Sequence, residues 1–167
     1  MKEIDFRTDI LPLKDQLFRL ALRITLNRED AEDVVQETML RIWKEHSKGR
    51  DPDNISAYAM TMCRNISIDI VRRKGRGNIS YDPLTHDRTD GSMQADERLV
   101  FDESYDSIRQ FLERLPEKQR TVLHLRDSEG RSYKEISEIM SVSESDVKIT
   151  LFRVRQKLKE ICERIIK

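Results

Sequence analysis

Cysteine, long apolar runs and net charge are what this sequence lacks. Its two cysteines, Cys63 and Cys162, lie far apart, each inside an apolar helical pattern. A disulfide framework or a thiolate metal site needs more thiols at closer spacing, so both read as small buried hydrophobes. No apolar run approaches the roughly 18 residues of a membrane-spanning helix, and the N-terminus lacks a signal-peptide core. The expected location is the cytoplasm, with no membrane contact of its own. His46, His86 and His124 are isolated, with no partner at metal or triad spacing. There is no P-loop or dinucleotide fingerprint. The abundant carboxylates fit helix caps and salt-bridged faces better than an acid/base pair. An enzyme, a bound metal and a cofactor are therefore not expected.

The formal charge is zero, from 31 basic and 31 acidic residues, but the charges are segregated. Residues 75–104 carry 3 basic and 7 acidic side chains, whereas the last 20 residues carry 7 basic and 2 acidic. A basic end and an acidic middle suit one partner bearing phosphates and a second partner of another kind.

The stretch Arg131–Lys159 is the most informative. Ser132 and Glu135 have the spacing of a capping box, which predicts a helix starting after Ser132 with Ile136, Ile139 and Met140 on its apolar face. Ser141-Val142-Ser143 reads as a turn. Ser143 and Asp146 offer a second N-cap, and Val147, Leu151, Val154, Leu158, Ile161 and Ile165 form an inward stripe on the helix that follows. Lys148, Arg153, Arg155, Lys157 and Lys159 lie off that stripe. A short helix, a tight turn and a longer basic helix fit a helix-turn-helix that offers a cationic face to the major groove. They also fit a plain helical hairpin with solvated lysines.

Upstream, Leu13, Leu17, Leu20, Ala21 and Ile24 predict a helix over Leu11–Leu26, ended by Asn27. A second helix is expected over Glu29–Glu45, with acids in its first turn and Asn27 at N-cap spacing from Asp30. Its buried face is expected to hold Ala31, Val34, Val35, Thr38, Ile42 and Trp43. Asp33, Glu37 and Arg41, with Gln36 beside them, form a charged stripe on the other side. After a loop at Gly49–Asn54, a third helix is expected over Ser56–Lys74, packed through Tyr58, Met62, Ile66 and Ile70. Asn65, Asp69, Arg72 and Arg73 share one face of it, which ends in Lys74. Cations there suit the helix dipole. An amide, a carboxylate and arginines in one row also suit a strand of nucleic acid. Gly75–Glu97 has no period and reads as a flexible acidic linker. From Arg98 the pattern is helical again, with Pro116 at the first position of a new helix and Gly130 in a left-handed turn.

The expected fold is all-α: two small helical domains, 1–76 and 98–167, joined by the linker 77–97, the second a helix-turn-helix. These pieces in this order resemble the extracytoplasmic-function sigma factors, the short two-domain branch of bacterial sigma factors. The resemblance is carried by Asp30–Thr38 with Trp43, and by Ala57-Tyr58, Arg64-Asn65 and Asp69 with Arg72-Arg73. It continues in Leu115–Arg120, Gly130–Ser137 and Val147–Arg155. It implies that Asp33, Gln36, Glu37 and Arg41 bind the clamp helices of core RNA polymerase, with the flap as a further contact. It implies that Asn65 and Asp69, with the loop Arg50–Asn54, read the melted -10 strand, while Arg72, Arg73, Lys74 and Arg76 hold phosphates. Ser145, Lys148, Ile149, Phe152 and Arg153 would meet the -35 duplex, and the acidic linker would thread the RNA-exit channel. Promoter DNA and an anti-sigma factor are the other implied partners. Ser141 stands where the family often has glycine. Asp146 would repel a phosphate unless it caps the helix, and Ile149 and Thr150 could touch a thymine methyl. On residues alone, a stand-alone helix-turn-helix regulator with an N-terminal sensor or dimerisation domain is the alternative.

Overall fold

The computed structural model describes residues 4–50, 52–76 and 106–166. The linker 77–97 and the start of the second domain at 98–105 lie outside the described residues, as does Asp51 of the expected strand-reading loop. Seven α-helices order the described chain: α1 (Lys14–Thr25), α2 (Arg28–Ser47), α3 (Ile55–Arg76), α4 (106–114), α5 (Glu117–Leu123), α6 (Tyr133–Met140) and α7 (Glu144–Ile166). Short helical turns at Phe6–Ile10, Leu11–Leu13 and His124–Ser128 complete them.

The first unit is a bundle of α1, α2 and α3, each packed on the other two. Its core is the leucine face read from the sequence, Leu13, Leu17, Leu20, Ala21 and Ile24, against Ala31, Val34, Val35 and Ile42 of α2. From α3 come Ala59, Met60, Cys63 and Ile66. Burial of such side chains stabilises by about 1.5–3 kcal/mol each before the entropy of ordering them is subtracted. Tyr58, Met62 and Ile70 are only partly buried and pack at the margin of this core.

The joint between α1 and α2 is two residues long, and it corrects one expectation. Asn27 does not end α1. Leu26 takes the left-handed turn, at φ 55° and ψ 27°, with its amide bonded to Leu22 O. Asn27 is extended, and its Oδ1 accepts from the Asp30 amide at 3.0 Å. It cannot cap α2 and also turn α1, so the strained conformation falls on a leucine.

The second unit packs α5 and α6 on α7. Gly130 is left-handed at φ 65°, as expected, and turns the chain into α6. Ser132 Oγ accepts from the Glu135 amide at 3.1 Å, and Ser143 Oγ from the Asp146 amide at 3.0 Å. Both predicted N-caps therefore form. Pro116 stands one position earlier than expected. Its ψ of 145° places it outside α5 as the N-cap, and its ring keeps Leu115 from continuing α4.

The two units are not apart. α1 and α3 pack on α5 and α6, and the buried residues of both form one continuous apolar cluster.

Candidate nucleic-acid interface

α7 owes its orientation to one buried face. Val147, Thr150, Leu151 and Val154 face inward, and beyond them Leu158, Ile161 and Ile165 are only half-buried. The stripe read from sequence thus weakens toward the C-terminus. Cys162 shares that fate: it is half-buried, where Cys63 is fully buried with its thiol donating to Leu17 O at 3.3 Å. Turning Val147 and Leu151 inward turns Ser145, Lys148, Ile149, Phe152 and Arg153 outward, and all five are exposed. Ile149 is 50% and Phe152 64% exposed, which is costly for large apolar groups unless a partner covers them.

Thr150 does not join them. It is buried, and its hydroxyl donates to Asp146 Oδ1 at 3.2 Å, so it has no access to a thymine methyl. Lys118 Nζ sits 2.7 Å from Asp146 Oδ2. That bond, ahead of the one from Thr150, holds the Asp146 carboxyl below the usual range. Tyr133 had no assigned role in the sequence. Its ring lies under Arg126 at 4.4 Å and Lys148 at 5.6 Å, which orients Lys148 from below. Its only sequence signal was its place in the run Gly130–Ser137.

On α3, Asn65, Asp69, Arg72 and Arg73 are exposed along one face. Lys74 is already engaged, its Nζ bonded to the Asp30 carboxylate. On α2, Asp33, Gln36 and Arg41 are exposed, and Arg41 Nε donates to Glu37 Oε1 at 2.8 Å. Trp43 is not in the core as expected but 43% exposed. Its ring meets Phe6 edge-on at a centroid distance of 5.4 Å. Phe6, Gln36, Met39, Leu40 and Trp43 line an open apolar groove of about 560 Å³ beside the charged stripe.

Among the described residues no cluster of histidine, cysteine or carboxylate side chains is placed to hold a metal ion. No described helix is long and apolar enough to cross a membrane.

Comparison with known proteins agrees with this layout. Residues 10–77 match the family described as Sigma-70 region 2, and residues 105–158 the family described as Sigma-70, region 4. The ECF RNA polymerase sigma factor SigM of Bacillus subtilis is 30% identical over 90% of this chain and 90% of its own. SigE of Mycolicibacterium smegmatis is 31% identical over 87% of this chain, which spans 57% of that protein's length. The sigma factor RpoE of Bartonella quintana, solved in complex with the anti-sigma factor NepR, shares the fold, with a TM-score of 0.73 at 23% identity over 95% of this chain and 97% of its own. A two-unit helical chain with a Sigma-70 region in each unit, 30% identical to SigM of Bacillus subtilis along 90% of its length, belongs to the extracytoplasmic-function RNA polymerase sigma factors.

Proposed function

We propose that the chain is a promoter-specificity subunit of bacterial RNA polymerase. It joins the core enzyme through α2, holds the opened -10 strand on α3 and reads the -35 duplex with α7. Asp33, Gln36, Glu37 and Arg41 contact the clamp helices of the largest subunit. Asn65 and Asp69 meet unpaired bases, and Arg72, Arg73 and Lys74 meet phosphates. Ser145, Lys148, Ile149, Phe152 and Arg153 enter the major groove, and the flap is a further core contact. The observation that carries this reading is α7. A helix buried on one face exposes isoleucine and phenylalanine among cations on the other, which suits thymine methyls flanked by phosphates.

Strand opening on this scheme needs no hydrolysis by the subunit. Unstacking costs a few kcal/mol per step, and capture of flipped bases on α3 offsets it. The chain acts as a non-enzymatic cytoplasmic factor in the domains 1–76 and 98–167, with the acidic segment 77–97 in the RNA-exit channel. An anti-sigma factor is its expected regulator.

Reconstitution tests the proposal. The chain added to core polymerase should direct initiation at discrete promoters, and Asp33→Ala or Gln36→Ala should weaken core binding roughly tenfold, as central interface truncations do. Tight duplex binding without polymerase, indifferent to those two substitutions, would instead mark a stand-alone regulator.

A further inference from the structure

The outer face of α7 has an uncharged centre between two cationic edges. A helix turns about 100° per residue, which puts Ser145, Ile149, Phe152 and Gln156 within about 60° of arc. They lie opposite the buried Val147, Thr150, Leu151 and Val154. All four are exposed, and none is charged. By the same turn, Lys148 and Arg155 border them on one side, and Arg153 and Lys157 on the other. The only acid between Ser145 and Lys157 is Asp146, and Lys118 holds it at 2.7 Å. Lys148 does not reach over the centre, because its ammonium rests 5.6 Å from the Tyr133 ring. A duplex fits this layout, since its major groove sets base edges between two rows of phosphates.

The middle of the strip limits which base edges can be read. Ile149 is 50% and Phe152 64% exposed. Neither side chain has a hydrogen-bond donor or acceptor, so neither pairs with the polar atoms of a base. In the major groove, the C5 methyl of thymine is the group that an apolar side chain covers without stranding a polar atom. The two side chains stand three residues apart, or about 4.5 Å along the helix, close to the roughly 3.4 Å between stacked bases. They therefore meet neighbouring base pairs rather than one and the same. We infer that α7 selects its duplex by two thymine methyl groups on neighbouring base pairs, one covered by Ile149 and the other by Phe152. Cytosine and uracil carry only hydrogen at that carbon and lose the contact. This inference rests on the function proposed above and gives its -35 contact a chemical class.

The test starts from the chain reconstituted with core polymerase. Templates on which it initiates best are selected from a library randomised upstream of the start. Two neighbouring pairs of the selected upstream element should carry thymine. Replacing either thymine by deoxyuridine removes the methyl alone, and should weaken binding of the reconstituted enzyme about fourfold, the worth of one buried methyl. Ile149→Ala should abolish that loss at one of the two positions, and Phe152→Ala at the other. Both side chains are exposed, so neither change opens the core. Selected elements without the thymine pair, or deoxyuridine duplexes bound as tightly as thymidine ones, would overturn the methyl readout alone. So would variants that lose affinity equally for both duplexes. Variants that bind core polymerase more weakly in the absence of DNA would seat a polymerase surface on the strip and overturn it too. A chain that initiates nowhere would overturn the proposed function, and the methyl readout with it.

Discussion

Lys118 on α5 places its ammonium 2.7 Å from the carboxylate of Asp146 in the first turn of α7. The sequence posed Asp146 as either a helix cap or a liability beside DNA, and it is neither. Ser143 provides the cap, and Lys118 neutralises the acid. An exposed pair of this kind contributes little to folding, so its importance is the potential it sets at the proposed groove-facing end of α7. Lys118→Ala should weaken binding to a -35 duplex severalfold without lowering the unfolding temperature. Adding Asp146→Asn should recover most of the loss. Anisotropy titration at fixed salt checks both, and a double variant as weak as the single one would exclude this role for the pair.

Lys148 and Arg153 stand outward on α7. If each neutralises a phosphate, Lys148→Ala and Arg153→Ala should each reduce the slope of log affinity against log salt by roughly one unit. An unchanged slope with lowered affinity would assign that residue to a base edge instead.

The fold was largely open to reading, because it follows from period and punctuation. The leucine face of α1, the caps at Asn27, Ser132 and Ser143, and the left-handed Gly130 are all local features. Lys148 and Arg153 fell outside once Val147 and Leu151 were placed inside, whereas Ser145, Ile149 and Phe152 were named only through the family resemblance. Tertiary features were not readable. Arg120 looked like one cation among 31, and its burial is explained by four carbonyls, two of them those of Arg23 and Ile24, nearly 100 residues away, and two those of Glu113 and Leu115. Trp43 has the spacing of a core residue, but its ring leans on Phe6 from the N-terminal turn at the rim of the bundle. Thr150 looked like a surface position until its hydroxyl was found turned back to Asp146.

His124 predicts a pH dependence. It is 5% exposed, and neither ring nitrogen has a hydrogen-bond partner among the described residues. Glu129 Oε1 lies 3.4 Å from Nε2. Even so, burial, with Arg23 and Arg19 nearby, pushes the imidazole down to about 4 from its ordinary 6.5. The ring is therefore neutral beside Glu129, and the short approach is not an ion pair. Between those two pH values the unfolded chain binds more protons than the folded one. Stability is thus full above pH 6.5 and falls as the pH drops toward about 4, by up to about 3 kcal/mol. The Glu129 carboxyl is held below its ordinary range, first by Arg19, so its own contribution is lost only at still lower pH. Urea unfolding at pH 7.5 and 5.5 should show the drop, and His124→Gln should flatten it. Equal slopes in the two proteins would count against a neutral buried ring.

Ser141 turns the chain between α6 and α7 with φ 56° and ψ 46°. Glycine adopts that conformation without the Cβ penalty. Ser141→Gly should therefore stabilise the protein by about 1 kcal/mol, read as a higher urea midpoint at an unchanged m-value. A lower midpoint would mean that the gain in unfolded-chain entropy outweighs the relief of strain.

The groove lined by Phe6, Met39, Leu40 and Trp43 has a practical corollary for the cell and for the bench. Leu40 is 55% and Trp43 43% exposed, which makes this one of the stickier areas of the molecule when nothing is seated there. Synthesis in excess of the subunits able to cover it would leave molecules prone to self-association. Yield and solubility on overproduction should then follow the supply of binding mates rather than the strength of the fold.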